Sequence, residues 1–461
     1  MTEFDPELAE IRFGCGLSPV VAPVANRQAM LDGLTAPDTM LDRFPIETFP
    51  QFRTRMVEAQ ALRKQRRKVR GTPEGEALRK QVNLLKKDAR ESKVRWLGQT
   101  MLRRTYTDTG FRERVTFFWA DHFTAHGKAG VIKRATSPYI DSAIRPNITG
   151  RFADLLIKTV MHPLMLDYLD QARSMGPNSP QAERRGAKAG INENLAREVL
   201  ELHTLGVGGP YTQTDVRELA ELFTGLTFAA KQGFKFRKDF AEPGAETVMG
   251  TTYSEKPSLE PILAALEDLA AHPATARHIA QKMAVHFVSD TPDPALIEHI
   301  EARFNDTGGD LSALYEALLE HPSSWSETAP NAKLPSDFVG STLRALAVSP
   351  ERIQAMDEKI GRMTFVGPMR LMGQKWQEPI GPDGWPEEDS NWITAQSLSA
   401  RIRWAMAAPE TLMPDLPDPR SFAQTALGAR ASDVIKFAAA SAESKPEAIG
   451  LVLSSPAFQR R

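Results

Sequence analysis

The segment NENLAREVLELHTLG, from Asn192 to Gly206, brings Glu193, Glu198 and Glu201 together with Arg197 and His203. Carboxylates beside an imidazole are a common means of moving protons in hydrolysis, and the same groups ligate divalent cations. Glu198, Glu201, His203 and Arg197 are therefore the catalytic candidates. Spacing tests the grouping. At about 100° per residue, counting from Glu193, Arg197 falls at about 40°, Glu201 at about 80°, Asn194 at about 100° and Glu198 at about 140°. These residues share a face. His203 falls at about 280°, beside Ala196 and Val199, and joins them only if the helix ends near Leu202 or a second helix brings its own groups.

Two further explanations stand beside catalysis. Glu193, Arg197 and Glu201 are spaced i, i+4, i+8, the pattern of an ion-pair ladder that holds adjacent helices in register. A metal site would draw on His122, His203, Glu198 and Asp170, with a divalent metal as the cofactor, while Asn194 and Glu218 are candidate binding residues nearby. Neither HExxH nor ExxH occurs in the chain, so such a site would have to be assembled from separate helices. His122 lies between Trp119 and Phe123 on an apolar helix face, where a hydrogen-bonded core histidine is the simpler reading.

Other chemistries lack support. There is no GxSxG elbow, no GxxxxGK[ST] and no GxGxxG opening a helix after a strand. The one cysteine, Cys15, rules out an intramolecular disulfide and a Cys-rich zinc site. Trp376, Trp385 and Trp392, with Pro379 and Pro382, lie in a loop spanning 373–392 that either lines a groove or clamps onto the core; Trp385 and Trp392 are its binding candidates.

The elements that must position these residues read as helices. At 461 residues, 41% hydrophobic and 25% charged, the chain has the composition of a folded globular protein. Val115, Phe118, Trp119 and Phe123 recur at helical spacing, and His162-Pro163 opens LMLDYLD as a new helix. The fold class is mainly α, a multi-helix bundle-like assembly with one small β-hairpin near residues 228–252, where apolar and polar residues alternate around glycines. The domain reading is a single helical unit over 1–461, with a mobile loop at 171–190 that is long and rich in Gly, Pro and Ser.

Residues 53–95 hold 15 Lys or Arg against 5 Asp or Glu. They read as a protruding basic helical hairpin broken at Gly71-Thr72-Pro73, docking through Leu78, Val82 and Leu85. With no aromatic residue between Phe52 and Trp96 and no recognisable reading motif, a solvated helical face or a dock for an acidic protein partner is preferred to nucleic acid. No apolar run approaches the length of a membrane span, and the acidic opening MTEFDPELAE lacks a secretory leader's pattern. The expectation is a cytoplasmic chain with no transmembrane segment.

Several stretches, in order along nearly the whole sequence, resemble a bacterial family known as domain of unknown function 1800. They are RFGCGLSP, FRERVTFFWADHF, HPLMLDYLD, NENLAREVLELHTLGVGGPYTQTDVRELAELFTG, the Gly373 to Trp392 stretch and LSSPAFQ. The resemblance implies a largely helical unit without a settled activity. Relatives often carry export signals and often sit beside genes for the domain of unknown function 1501 family, so the resemblance implies a protein of that family as partner. The lack of a leader pattern here puts export in doubt and leaves export with a signal-bearing partner as the alternative to a cytoplasmic chain. Phe240-Ala241 stand where many relatives carry a His-Asp pair, a departure that weakens a metal site using that histidine.

Overall fold

The computed structural model describes residues 4–185, 190–327 and 331–461. The long helical hairpin shows how local signals and packing share the work. Thr48 and Gln51 form a capping box at the start of the Phe49–Lys68 helix, satisfying two backbone donors that a helix start leaves free. Gly71, at φ +86°, turns the chain, and Thr72 caps the Pro73–Tyr106 helix with proline in its first turn. At 34 residues the second helix is about 50 Å long. Its first half reaches the apolar core through Ala89 and the partly buried Leu85, whereas from Trp96 onward Leu97, Met101 and Leu102 are buried.

That helix joins two apolar cores. Ala89 and Trp96 belong to the larger one, with Trp119, Phe123, Phe152, Leu200 and Met283. Leu97, Met101 and Leu102 belong to the second, with Phe338, Leu343, Trp404 and Val452. Between the cores the fold buries charge instead of apolar surface. Asp337, on the wholly buried Pro335–Leu346 helix, takes the guanidinium groups of Arg104, Arg114 and Arg461. A buried carboxylate without such partners would cost several kcal/mol.

The strands form two short antiparallel hairpins where the sequence pattern suggests one. β1 (Leu226–Ala229) pairs with β2 (Gly233–Phe236) in the register Leu226 opposite Phe236, and β3 (Thr247–Val248) pairs with β4 (Thr251–Thr252). The backbone between them is diverted: the carbonyls of Asp239 and Phe240 accept from the amides of Gln181 and Gly176. Phe240 is thereby buried with Met175 and Ala182. The expected mobile loop at 171–190 is thus pinned along much of its length. Gln171 is buried and donates its amide to the carbonyl of Phe223, and Pro180–Arg185 is helical; 186–189 lie outside the described residues. Among the described residues no helix is long and apolar enough to cross a membrane.

Candidate acid–base site

The central segment begins as an α-helix, Asn194–Glu198, and continues as a π-helical turn, Val199–His203. Its outer face is the ladder. Arg197 meets Glu193 at 3.2 Å and Glu201 at 3.3 Å, all three side chains at least a quarter exposed. Gln213, from the next helix, bonds both Arg197 and Glu193 at 3.0 Å, so the ladder ties two helices together. His203 is on the opposite side and fully buried, as the angular count requires. Glu198 is half-buried; loss of solvent, then the charges of Glu201 and Asp383, push its carboxyl up to about 7.

The π turn leaves carbonyls at its end that the helix cannot satisfy itself. Two histidines from other helices supply the donors. His278 Nε2 lies 3.0 Å from the carbonyl of Leu202, and His122 Nε2 lies 3.2 Å from that of His203. Each ring therefore carries its proton on Nε2 and is neutral. Burial, then the nearby Lys282, holds His122 well below the usual imidazole range, His203 at about 3 and His278 at about 4. The ring centroids of His122 and His203 are 6.0 Å apart, and those of His122 and His278 are 6.2 Å apart.

The proposed metal set does not assemble. Asp170 turns outward to an ion pair with Lys128, away from the buried imidazoles. Among the described residues no three His, Cys, Asp or Glu side chains are grouped so as to hold a metal ion. The remaining candidates also have structural partners. Asn194 is exposed at the helix start, and Glu218 accepts from the amide of Thr247 at the head of β3. Trp392 is buried, donating its Nε1–H to the carbonyl of Pro386.

A different cluster stands one turn away. Asp121, the residue before His122, closes the Gly110–His122 helix, whose C-terminal dipole disfavours an anion. The Gly384-Trp385 backbone covers it: Trp385 N–H lies 3.1 Å from both carboxylate oxygens. A Cβ on Gly384 would come within 2.6 Å of Asp121 Oδ2, and the φ of +86° there also favours glycine. Burial, then repulsion from Glu387, pushes the Asp121 carboxyl up to about 8. It is a neutral acid at pH 7.

Glu387 lies in the same loop and behaves oppositely. Burial works against its charge, but His286, Arg461 and Lys282 together hold it below the usual carboxylate range. His286 Nδ1 is 2.8 Å from Glu387, and Arg114 approaches His286 Nε2 at 3.4 Å. Since a guanidinium can only donate, Nε2 accepts and Nδ1–H donates to the carboxylate. The imidazole is neutral, and burial keeps its pKa at about 4. Lys282, on the Pro273–Phe287 helix between His278 and His286, is the cation near both carboxylates.

The sequence reading missed Asp121, Lys282, His286, Asp383 and Glu387. One signal was available. His278, Lys282 and His286 are spaced i, i+4, i+8, which puts them on one helical face. Beside Asp121 a cleft of about 60 Å³ is lined by Phe117, Trp376, Gln377 and Trp385, so Trp385 is the one tryptophan candidate that reaches this site. That volume holds a few waters.

The mainly α architecture and the order of motifs along the chain define one class of protein. The model of the family described as protein of unknown function (DUF1800) matches residues 11–460, and the chain belongs to that family. Neither a curated protein nor a solved structure matches it.

Proposed function

We propose that this protein is a hydrolase working by general acid–base catalysis, with Asp121 as the acid and Glu387 as the base. The observation that carries the reading is the contrast between two neighbouring carboxyls. Asp121 is set at a helix C-terminus with Trp385 N–H as its hydrogen-bond donor, and burial pushes its pKa up to about 8, whereas Glu387 accepts from His286 at 2.8 Å and faces Arg461, which hold it below the usual carboxylate range. Environments that push paired titratable groups apart are how one site supplies both proton donor and acceptor at neutral pH. In the reaction, Glu387 takes a proton from the attacking water and its oxygen bonds to the electrophilic centre. The bond to the leaving group breaks as Asp121 passes its proton to that group. Lys282 offsets developing negative charge. Glu198, Glu201, His203 and Arg197 then act from outside the reacting centre, by building the helix whose carbonyls orient His122 and His278.

A cleft of about 60 Å³ is too small for most substrates, so the 373–392 loop must lift for one to enter. The same tightness favours a second reading, a non-catalytic assembly factor. An open apolar groove formed by Met363, Pro368, Leu371 and Trp404 supports it. Infrared titration of the carboxyl band, comparing wild type with Asp121→Asn, tests the first. A band lost in the variant and titrating near pH 8 is expected. If the Asp121 carboxyl ionises below pH 5, the acid is gone and with it the hydrolase reading. Ester, phosphoester and glycoside substrates offered to wild type and to Glu387→Gln then identify the bond cleaved.

A further inference from the structure

The tip of the helical hairpin carries charge that the rest of the fold leaves unused. A groove between its helices is walled by Arg63, Arg66, Arg67 and Arg70 on one side and by Arg79 and Lys86 on the other. Only Arg79 of these six forms an ion pair among the described residues, with Glu76 at 3.4 Å, and both side chains of that pair are more than half exposed. Acids nearer the body are engaged elsewhere: Glu47 and Asp88 on Arg55, Glu358 on Arg90, Glu378 on Lys93. Packing matches the hairpin to the body through Phe52, Ala89 and the partly buried Leu85, and among the described residues the groove's cations form no ion pair with the body. Clustered like charges repel and lower stability, and a bound polyanion removes that cost.

Partners of different chemistry need different surroundings. A protein interface has an apolar or aromatic centre, and a helix lying on a membrane has an apolar face. This hairpin has no aromatic residue between Phe52 and Trp96, and its exposed large apolar side chains are Val57 and Leu84. A phosphodiester backbone requires neither feature. It requires donors matched to phosphate oxygens, and the guanidinium fork is the best of these. Missing aromatics weigh against stacking on single-stranded bases but not against contact with a duplex. We infer that the groove binds the backbone of double-stranded nucleic acid without reading its sequence.

The test uses the full-length chain and labelled DNA duplexes of unrelated sequence, followed by fluorescence anisotropy across a salt series. Six phosphate contacts predict a slope of log affinity on log salt of about −5. The duplexes should bind alike. Replacing Arg66→Glu, Arg67→Glu and Arg70→Glu together should weaken binding at least about tenfold. The far-UV circular dichroism should stay unchanged, because these side chains form no ion pair among the described residues. No binding at low salt overturns the inference. So does equal or tighter binding to anionic lipid vesicles or to polyglutamate, which would assign the groove to a membrane or to an acidic protein.

Discussion

Asp121→Asn should make the protein more stable, and increasingly so as the pH rises. The group's pKa is 3.8 when exposed and about 8 in the fold, so between those values the native state holds a proton that the unfolded chain releases. For an acid shifted upward, stability is full below about pH 4, falls through the interval and levels off above about pH 8. At about 1.4 kcal/mol per pKa unit, the deficit at pH 7 would be about 4 kcal/mol for a fully dry site. Asp121 keeps some solvent contact, which roughly halves this to about 2 kcal/mol. Asparagine has the same shape, still accepts from Trp385 N–H and cannot ionise. Urea unfolding followed by tryptophan fluorescence, at about pH 5, 7 and 9, would measure the difference. Glu198 and Glu246, also raised to about 7, act in both proteins and cancel. A difference that stays constant with pH, or a variant less stable throughout, refutes the assignment of Asp121 as a buried neutral acid.

Three more outcomes follow from the same reasoning. His162 caps its helix through Nδ1, at 3.1 Å from the amide of Leu164, and burial holds its pKa at about 3. Its folded pKa is below the unfolded one, so its contribution is present above about pH 6.5 and lost on acidification. His162→Asn keeps the cap and should flatten the acid limb by about 1.4 kcal/mol per pH unit between about pH 6 and 4, measured by the same unfolding experiment. Gly384→Ala should cost about 1–2 kcal/mol from the positive φ alone and shift the Asp121 titration, since the added Cβ collides with the carboxylate. An unmoved infrared band would show that the loop does not cover Asp121. Arg197→Ala should lower stability by less than about 1 kcal/mol, because its ion pairs are partly exposed, and the loss should shrink in high salt.

Periodicity in the sequence reported what a single helix does. The angular count put His203 opposite Glu201, and the helix keeps it there, because a core made of Leu195, Ala196, Val199 and Leu200 is on that side. The break at Gly71-Thr72-Pro73 was legible because glycine, an N-capping threonine and proline each fix a local conformation. The second β-hairpin was hidden because the diversion between the two depends on bonds to residues 176 and 181, far earlier in the chain.

The proposed acid–base pair was hidden for the same reason, although half of its surroundings could be read. His278, Lys282 and His286 line one face at regular spacing, so a polar site on that helix was available from sequence alone. What they face was not, since Glu387 comes to His286 across 101 residues from a loop without periodicity. The histidines that first drew attention are explained by a local backbone event: the π turn frees the carbonyls of Leu202 and His203, and His278 and His122 satisfy them. Two imidazoles spent as helix caps cannot offer both nitrogens to substrate. On the hydrolase reading proposed above, the proton chemistry falls to Asp121, whose carboxyl accepts from one backbone donor among the described residues, Trp385 N–H, and whose charge the fold opposes. If that reading holds, the cost of Asp121 beside an oppositely shifted Glu387 is stability exchanged for reactivity, and the gain in stability of Asp121→Asn measures it.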